Sequence, residues 1–340
     1  ATDTYNVAVG HNAGLLVTTG TNNTLIGGLA GDALTDGNQN VAVGYSALSA
    51  EIRGDKNIAI GAGALQVQSN STDVDAFNVA VGHAAGAAVT TGTQNTYIGG
   101  LAGDAATASV ENVAVGYQSL SADTLGSKSV AIGRMALLSQ NLTTATDVYN
   151  VAVGHNAGQQ ITTGVQNTLI GGLAGDALTD ADYNTAVGMQ ALTADTLGSR
   201  STAMGFFALG SQNFTTATNT YNVAVGYNAG GANTTGETNT FLGATAGAAN
   251  TSGNNNSAMG YAALFTNILS DRNVAIGNNA LYSHNQATSV DSYNVAVGYD
   301  AGSAVTTGVE NTLIGALAGD ALTDADYNVA LGWGALGADT

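Results

Sequence analysis

The chain has 340 residues, only 9% of them charged, with 47 Gly and neither Cys nor Pro. Its net charge of −18 argues against nucleic acid, whose phosphates need Lys and Arg, and against an anionic membrane surface. Without Cys there is no disulfide or thiol chemistry, and no apolar run approaches the roughly 18–20 residues of a membrane-spanning helix.

The first element in the chain is Asn6-Val7-Ala8-Val9-Gly10, and versions of it begin at nineteen places, from Asn6 to Asn328. The first residue is Asn at seventeen of them and Ser at two, Ser129 and Ser201; Gly stands four residues on in all nineteen. Steps of 17, 17, 17 and 21 residues make a 72-residue cycle, seen in the series Tyr5, Phe77, Tyr149, Tyr221, Tyr293. A short period inside a longer one predicts an all-β solenoid of about 19 coils. It is one continuous domain over 1–340, with cycles 5–76, 77–148, 149–220, 221–292 and a partial 293–340.

Each coil opens with a three-residue apolar run, too short for a helix, which ends at a Gly that can take positive φ. The expectation is a short strand, a tight turn, and a second strand starting near Ala13-Gly14 or Ala47-Leu48. The third residue of the run, such as Val9, Ile26 or Met204, is expected to fill the interior, with the residue before it pointing outward. That residue is Ala in most coils but Leu25, Tyr97, Leu169, Phe241 and Leu313 in second coils. A run apolar on both faces predicts a partner chain on the outer one. Stacked Asn residues (Asn6, Asn23, Asn40, Asn57) predict an amide ladder, and Gly10, Gly27, Gly44 and Gly61 the turns. At about 4.8 Å per coil the repeat would extend roughly 90 Å.

The runs "NVAVGHNAG" and "NIAIGAGAL", with Asn184-Thr185-Ala186-Val187-Gly188, resemble the NSVAIGxxS repeat of YadA-like trimeric adhesin heads, in the form found in bacteriophage tail fibres. The likeness covers nearly the whole chain. It implies a left-handed parallel β-roll, three chains side by side, and an extracellular role in attachment, on a virion tail fibre or a cell surface. The coils here are longer than in the adhesin head, and Ala usually replaces its closing Ser.

Later elements carry the candidate sites. The cations Lys56, Lys128, Arg200 and Arg272 each precede a fourth coil and are expected to pair with carboxylates such as Asp55 or Asp271. Asp32, Asp104, Asp176 and Asp320 read as turn caps in second coils rather than Ca²⁺ ligands. Arg53-Gly54-Asp55 spells an integrin tripeptide once and reads as coincidence. After the invariant Gly stand His11, His83, His155, Tyr227 and Tyr299 in first coils, and Tyr45, Tyr117, Met189, Tyr261 and Trp333 in third coils. This stripe reads as packing against a neighbouring chain, with sugar stacking or a threefold His metal site as rivals. The fourth-coil loops, 66–76, 138–148, 210–220 and 282–292, differ most between cycles and are expected to make any contact with a host glycan or protein, through Phe214, Tyr282 and His284. Glu51, Glu111, Glu237 and Glu310 do not cluster, so no catalytic pair, cofactor or metal is expected. The expected function is a structural, homotrimeric attachment-fibre shaft, joined end to end with further segments. The alternative is a self-assembling extracellular filament.

Overall fold

The computed structural model describes residues 3–339, and these contain no helix. The chain divides into two units, Ala1–Asn167 and Thr168–Thr340. In the first, each coil contributes one three-residue strand to a parallel ladder, from Val7–Val9 to Val151–Val153; in the second the ladder runs from Thr168–Ile170 to Val329–Leu331. With nine coils in one unit and ten in the other, this is an all-β solenoid of about 19 turns.

Within each unit equivalent residues pair, as with Val7 and Thr24, Ala8 and Leu25, Val9 and Ile26. The 21-residue step leaves this register intact, since Ile58, Ala59 and Ile60 pair with Val79, Ala80 and Val81. The four extra residues instead support a second short parallel pairing. Gly54–Asp55 lies beside Val74–Asp75, Gly126–Ser127 beside Thr146–Asp147, and Gly198–Ser199 beside Thr218–Asn219.

Two expectations are corrected. The segment after the invariant Gly is not a second strand. It is a run of tight turns, with Ala13 N–H donating to Gly10 O and Val17 N–H to Gly14 O (3.3 and 3.2 Å). Asn12 and Gly14 both take the left-handed conformation there, at φ 56° and 61°. The turns still join neighbouring coils, because Gly14 N–H donates to Ala30 O at 2.9 Å.

The strand faces are also the reverse of those expected. The middle residue is buried: Leu25, Ala42, Ala59, Tyr97 and Phe241 are at most 1% exposed. The third residue faces out, as with Ile26, Ile98, Met204 and Leu242. The coil interior explains this. The turn run folds back so close to the strand that only Ala fits opposite Leu48, Leu65 or their equivalents. Second coils put a large side chain in the middle and Gly where those Leu residues stand. A Cβ on Gly31 would lie 2.8 Å from Leu25 Cδ2, and one on Gly103 2.4 Å from Tyr97 Cε1. The gap above, at Gly14 or Gly86, takes the same side chain.

The invariant Gly is needed twice over. Gly188 sits at φ 137°, and a Cβ there would lie 2.4 Å from Gly205 O. At the coil start, Asn23 N–H donates to Asn6 Oδ1, and Asn40 N–H to Asn23 Oδ1 (2.8 and 2.9 Å). Each amide nitrogen also closes its own coil, as Asn40 Nδ2 donates to Gly54 O at 2.8 Å. These buried amides satisfy backbone groups that strands of three residues would leave unpaired.

Candidate functional site

In each unit the outer face of the ladder carries an apolar third strand residue in every coil; the first strand residue beside it is Val or Ile in eleven coils and Thr or Ser in eight. Ile58 and Ile60 of one strand are 37% and 39% exposed, and Ile98, Ile132, Ile170, Met204, Met259 and Ile276 have comparable exposure. The residue after the Gly extends this face at the strand end. Tyr45, Tyr117, Met189, Tyr227, Tyr261, Tyr299 and Trp333 are all exposed, as are His11, His83 and His155. Among the described residues, no three His, Cys, Asp or Glu side chains group as metal ligands.

The cations pair one coil further along than expected. Lys56 Nζ lies 2.6 Å from Asp75 Oδ2, Lys128 Nζ 2.6 Å from Asp147 Oδ2, and Arg272 pairs with Asp291. Arg200 Nε donates to Asn219 Oδ1 at 2.8 Å. Lys56, Lys128 and Arg272 stack over Phe77, Tyr149 and Tyr293, and Arg200 over Tyr183. The hydrogen bond from Lys128 to Asp147, then that to Tyr149, holds the Lys128 ammonium above its ordinary pKa. Such exposed pairs are screened by solvent and contribute little to stability.

Asp104 accepts from Ser121 Oγ, and Asp176 from Thr193 Oγ1, each in the following coil. Burial raises the Asp176 pKa, opposed by the Thr193 hydrogen bond. Within the Arg-Gly-Asp tripeptide, Gly54 is buried, Arg53 pairs with Asp36, and Asp55 accepts from Asn38 N–H at 2.6 Å.

The fourth-coil contacts need correction. Phe214 is 6% exposed and His284 0%, so neither offers a side chain to a partner. His284 belongs to a buried column one residue wide, eleven positions after each coil start, and the backbone N–H of Phe214, two places beyond that position, donates to the column's Asp195 at 3.0 Å. In the first cycle the column reads Val17, Leu34, Glu51, Gln68. Glu51 is fully buried; its Oε1 accepts from the N–H of Ile52, Gly54 and Asn70, and its Oε2 from Gln68 Nε2 at 2.8 Å. Asp123 with Gln140 and Asp195 with Gln212 repeat this arrangement at 2.6 Å. Burial raises the Asp123 pKa, opposed by the Gln140 bond. In the fourth cycle the column becomes Asn233, Asn250, Asn267 and His284. Its amides ladder at 2.8 and 3.0 Å, and His284 Nε2 lies 3.1 Å from Ser292 Oγ.

Sequence reasoning treated Glu51 as isolated and missed this column. The signal was present: an acid is followed 17 residues later by Gln in three cycles, and both change together in the fourth.

Tyr282 is the one expected contact that stays exposed, at 37%, and its ring stacks on Phe265 with centroids 5.1 Å apart. Compared with known proteins, the chain matches no family model and no curated sequence.

Proposed function

We propose that this chain is the shaft of a homotrimeric attachment fibre, extracellular, on a virion tail or a cell surface, with no catalytic role. The observation that carries the reading is the outward apolar face of the ladder, continued from coil to coil within each unit. Parallel sheets are as a rule covered on both faces, and an apolar strip of this extent on a soluble chain marks an interface. The resemblance to YadA-like heads supplies the number of chains.

Sedimentation equilibrium at micromolar concentration tests it. The expected mass is three times the 33.5 kDa of one chain. Replacing outward residues, as in Ile98→Asp with Met204→Asp, should dissociate the assembly while leaving the coils intact by circular dichroism, since neither side chain enters the interior. A monomer with a cooperative thermal transition overturns the reading. Open-ended growth of the purified chain under electron microscopy favours the filament alternative instead.

A further inference from the structure

The second unit carries a surface groove of about 580 Å³ that shares only Tyr261 with the outward apolar face. It lies where a third coil, a fourth coil and the next first coil meet. Tyr261 comes from the first of these, Asn279, Tyr282 and Ser283 from the second, and Asp300 and Ser303 from the third. The volume falls in the range of small-molecule sites, roughly 300–1,000 Å³.

The side chains are fixed before any ligand arrives. Phe265 stacks on the Tyr282 ring at an interplanar angle of 6° and sets its plane. Thr266 Oγ1 donates to Tyr282 O at 2.8 Å and anchors the backbone beneath it. Asn279 and Asp300 both hold left-handed backbone, at φ 53° and 51°, within the stacked turns. Asn279 Nδ2 donates to Asp300 Oδ1 at 2.9 Å, which orients the carboxylate and directs its other oxygen elsewhere.

The same junction in the other cycles shows that this is a departure from the repeat. The places of Phe265 and Tyr282 are held by Ser49 and Gln66, then Ser121 and Leu138, then Thr193 and Gly210. In the second cycle Arg134 reaches across to His155 at 3.4 Å, and in the third Phe206 stacks on Tyr227 at 5.5 Å. The first cycle has a smaller groove of about 240 Å³, with Tyr45 and His83 but no second tyrosine.

We propose that the Tyr261–Tyr282–Asp300 groove binds an uncharged saccharide. Two exposed aromatic rings offer faces to the C–H side of a pyranose. A carboxylate, an amide carbonyl and two serine hydroxyls can accept and donate to its hydroxyl groups. The lining contains no Lys or Arg, and its single charge is negative, so phosphate, sulfate and sialic acid are disfavoured. One carboxylate without further acidic ligands is too little for a metal. The polar floor suits a hydroxylated ligand better than a lipid chain. The site stands on its own geometry, whether or not the chain is a fibre shaft.

The test is titration of the full chain, in its native assembly, with four neutral probes: maltotriose, lactose, mannotriose and chitotriose. Sialyllactose and choline serve as charged comparisons, and saturation-transfer NMR reports contact. At least one neutral probe is expected to bind, with transfer strongest at ring C–H protons. Tyr282→Ala and Asp300→Asn should each weaken it by about tenfold or more. Ser303→Trp, which fills the groove, should abolish binding while the coils stay folded by circular dichroism. Tyr327→Ala, at an exposed tyrosine outside the groove, should change nothing. Failure of all four neutral probes overturns the proposal, as does binding that survives Tyr282→Ala and Ser303→Trp in folded protein. Preference for choline overturns it in favour of a cation site. None of these results depends on the mass measurement that tests the fibre reading.

Discussion

His284 shows how much one residue changes when its column changes. Its counterparts Gln68, Gln140 and Gln212 bind a buried acid, whereas His284 follows three stacked asparagines. Burial lowers its pKa from 6.5 to about 4, so the folded chain keeps it neutral where the unfolded chain would protonate it. Its contribution is complete above pH 6.5 and is lost as the pH falls towards 4, by up to roughly 3 kcal/mol. His284→Gln should therefore lose less thermal stability than the parent between pH 7 and 4, so that the melting temperature of the variant rises relative to that of the parent as acid is added. A constant gap would show that the imidazole does not titrate with folding. Gly188 and Ala191 make a second contrast. Gly188→Val forces a branched side chain into φ 137° and against Gly205 O, and is expected to cost several kcal/mol. Ala191→Ser should be mild, because Ser119 already occupies the matching place and donates to Gly116 O at 3.0 Å. Calorimetry on the two variants decides this.

At the scale of the coil, volume is traded between the strand and the turn run. Phe241→Leu should cost less than about 1.5 kcal/mol, since Leu25, Leu169 and Leu313 fill the same place between the same glycines. Phe241→Ala should cost about 3–5 kcal/mol, because Gly230 and Gly247 leave nothing to close the cavity. Denaturant unfolding measures both. The fourth coil gives a further expectation. Asn70, Leu142 and Phe214 donate backbone N–H groups to Glu51, Asp123 and Asp195, so deleting 69–72, 141–144 or 213–216 would strip a donor from a buried carboxylate. Trimming one loop should therefore destabilise its cycle by several kcal/mol, and pairing the deletion with Glu51→Gln, Asp123→Asn or Asp195→Asn should recover part of the loss. The period, the strand positions and the Asn and Gly roles were legible in the sequence because identical residues recur at identical spacing. Which face pointed inward was not. Ala8 and Val9 are both apolar, and the deciding fact, the Gly or Leu four residues past the turn, lies on the opposite side of the coil. Phe214 and His284 depart from expectation for a related reason: variation between cycles suggests exposed loops, whereas here it follows the buried column.

At the scale of the whole chain, the composition and the exposed face pull against each other. An outward strip of Ile, Val, Met and Leu favours association, while a net charge of −18 on every copy opposes it. The proposed trimer should therefore tighten with ionic strength, as salt screens the repulsion between like-charged copies and leaves apolar burial intact. Sedimentation at roughly 0.02 M and 0.3 M NaCl should show the shift, and dissociation by salt would mean that ion pairs hold the assembly.

The column eleven residues past each coil start has a consequence for folding. A chain whose strands are nearly interchangeable invites misalignment, with one coil settling where another belongs. In this column a displaced coil would set Asn233, Asn250 or Asn267 against Val, Leu or a carboxylate that already has its Gln, and would break the amide ladder the three make with one another. Buried amides without partners are among the costliest defects in a core. The fourth cycle thus works as an index mark, allowing the ladder to close easily in one alignment and poorly in the others.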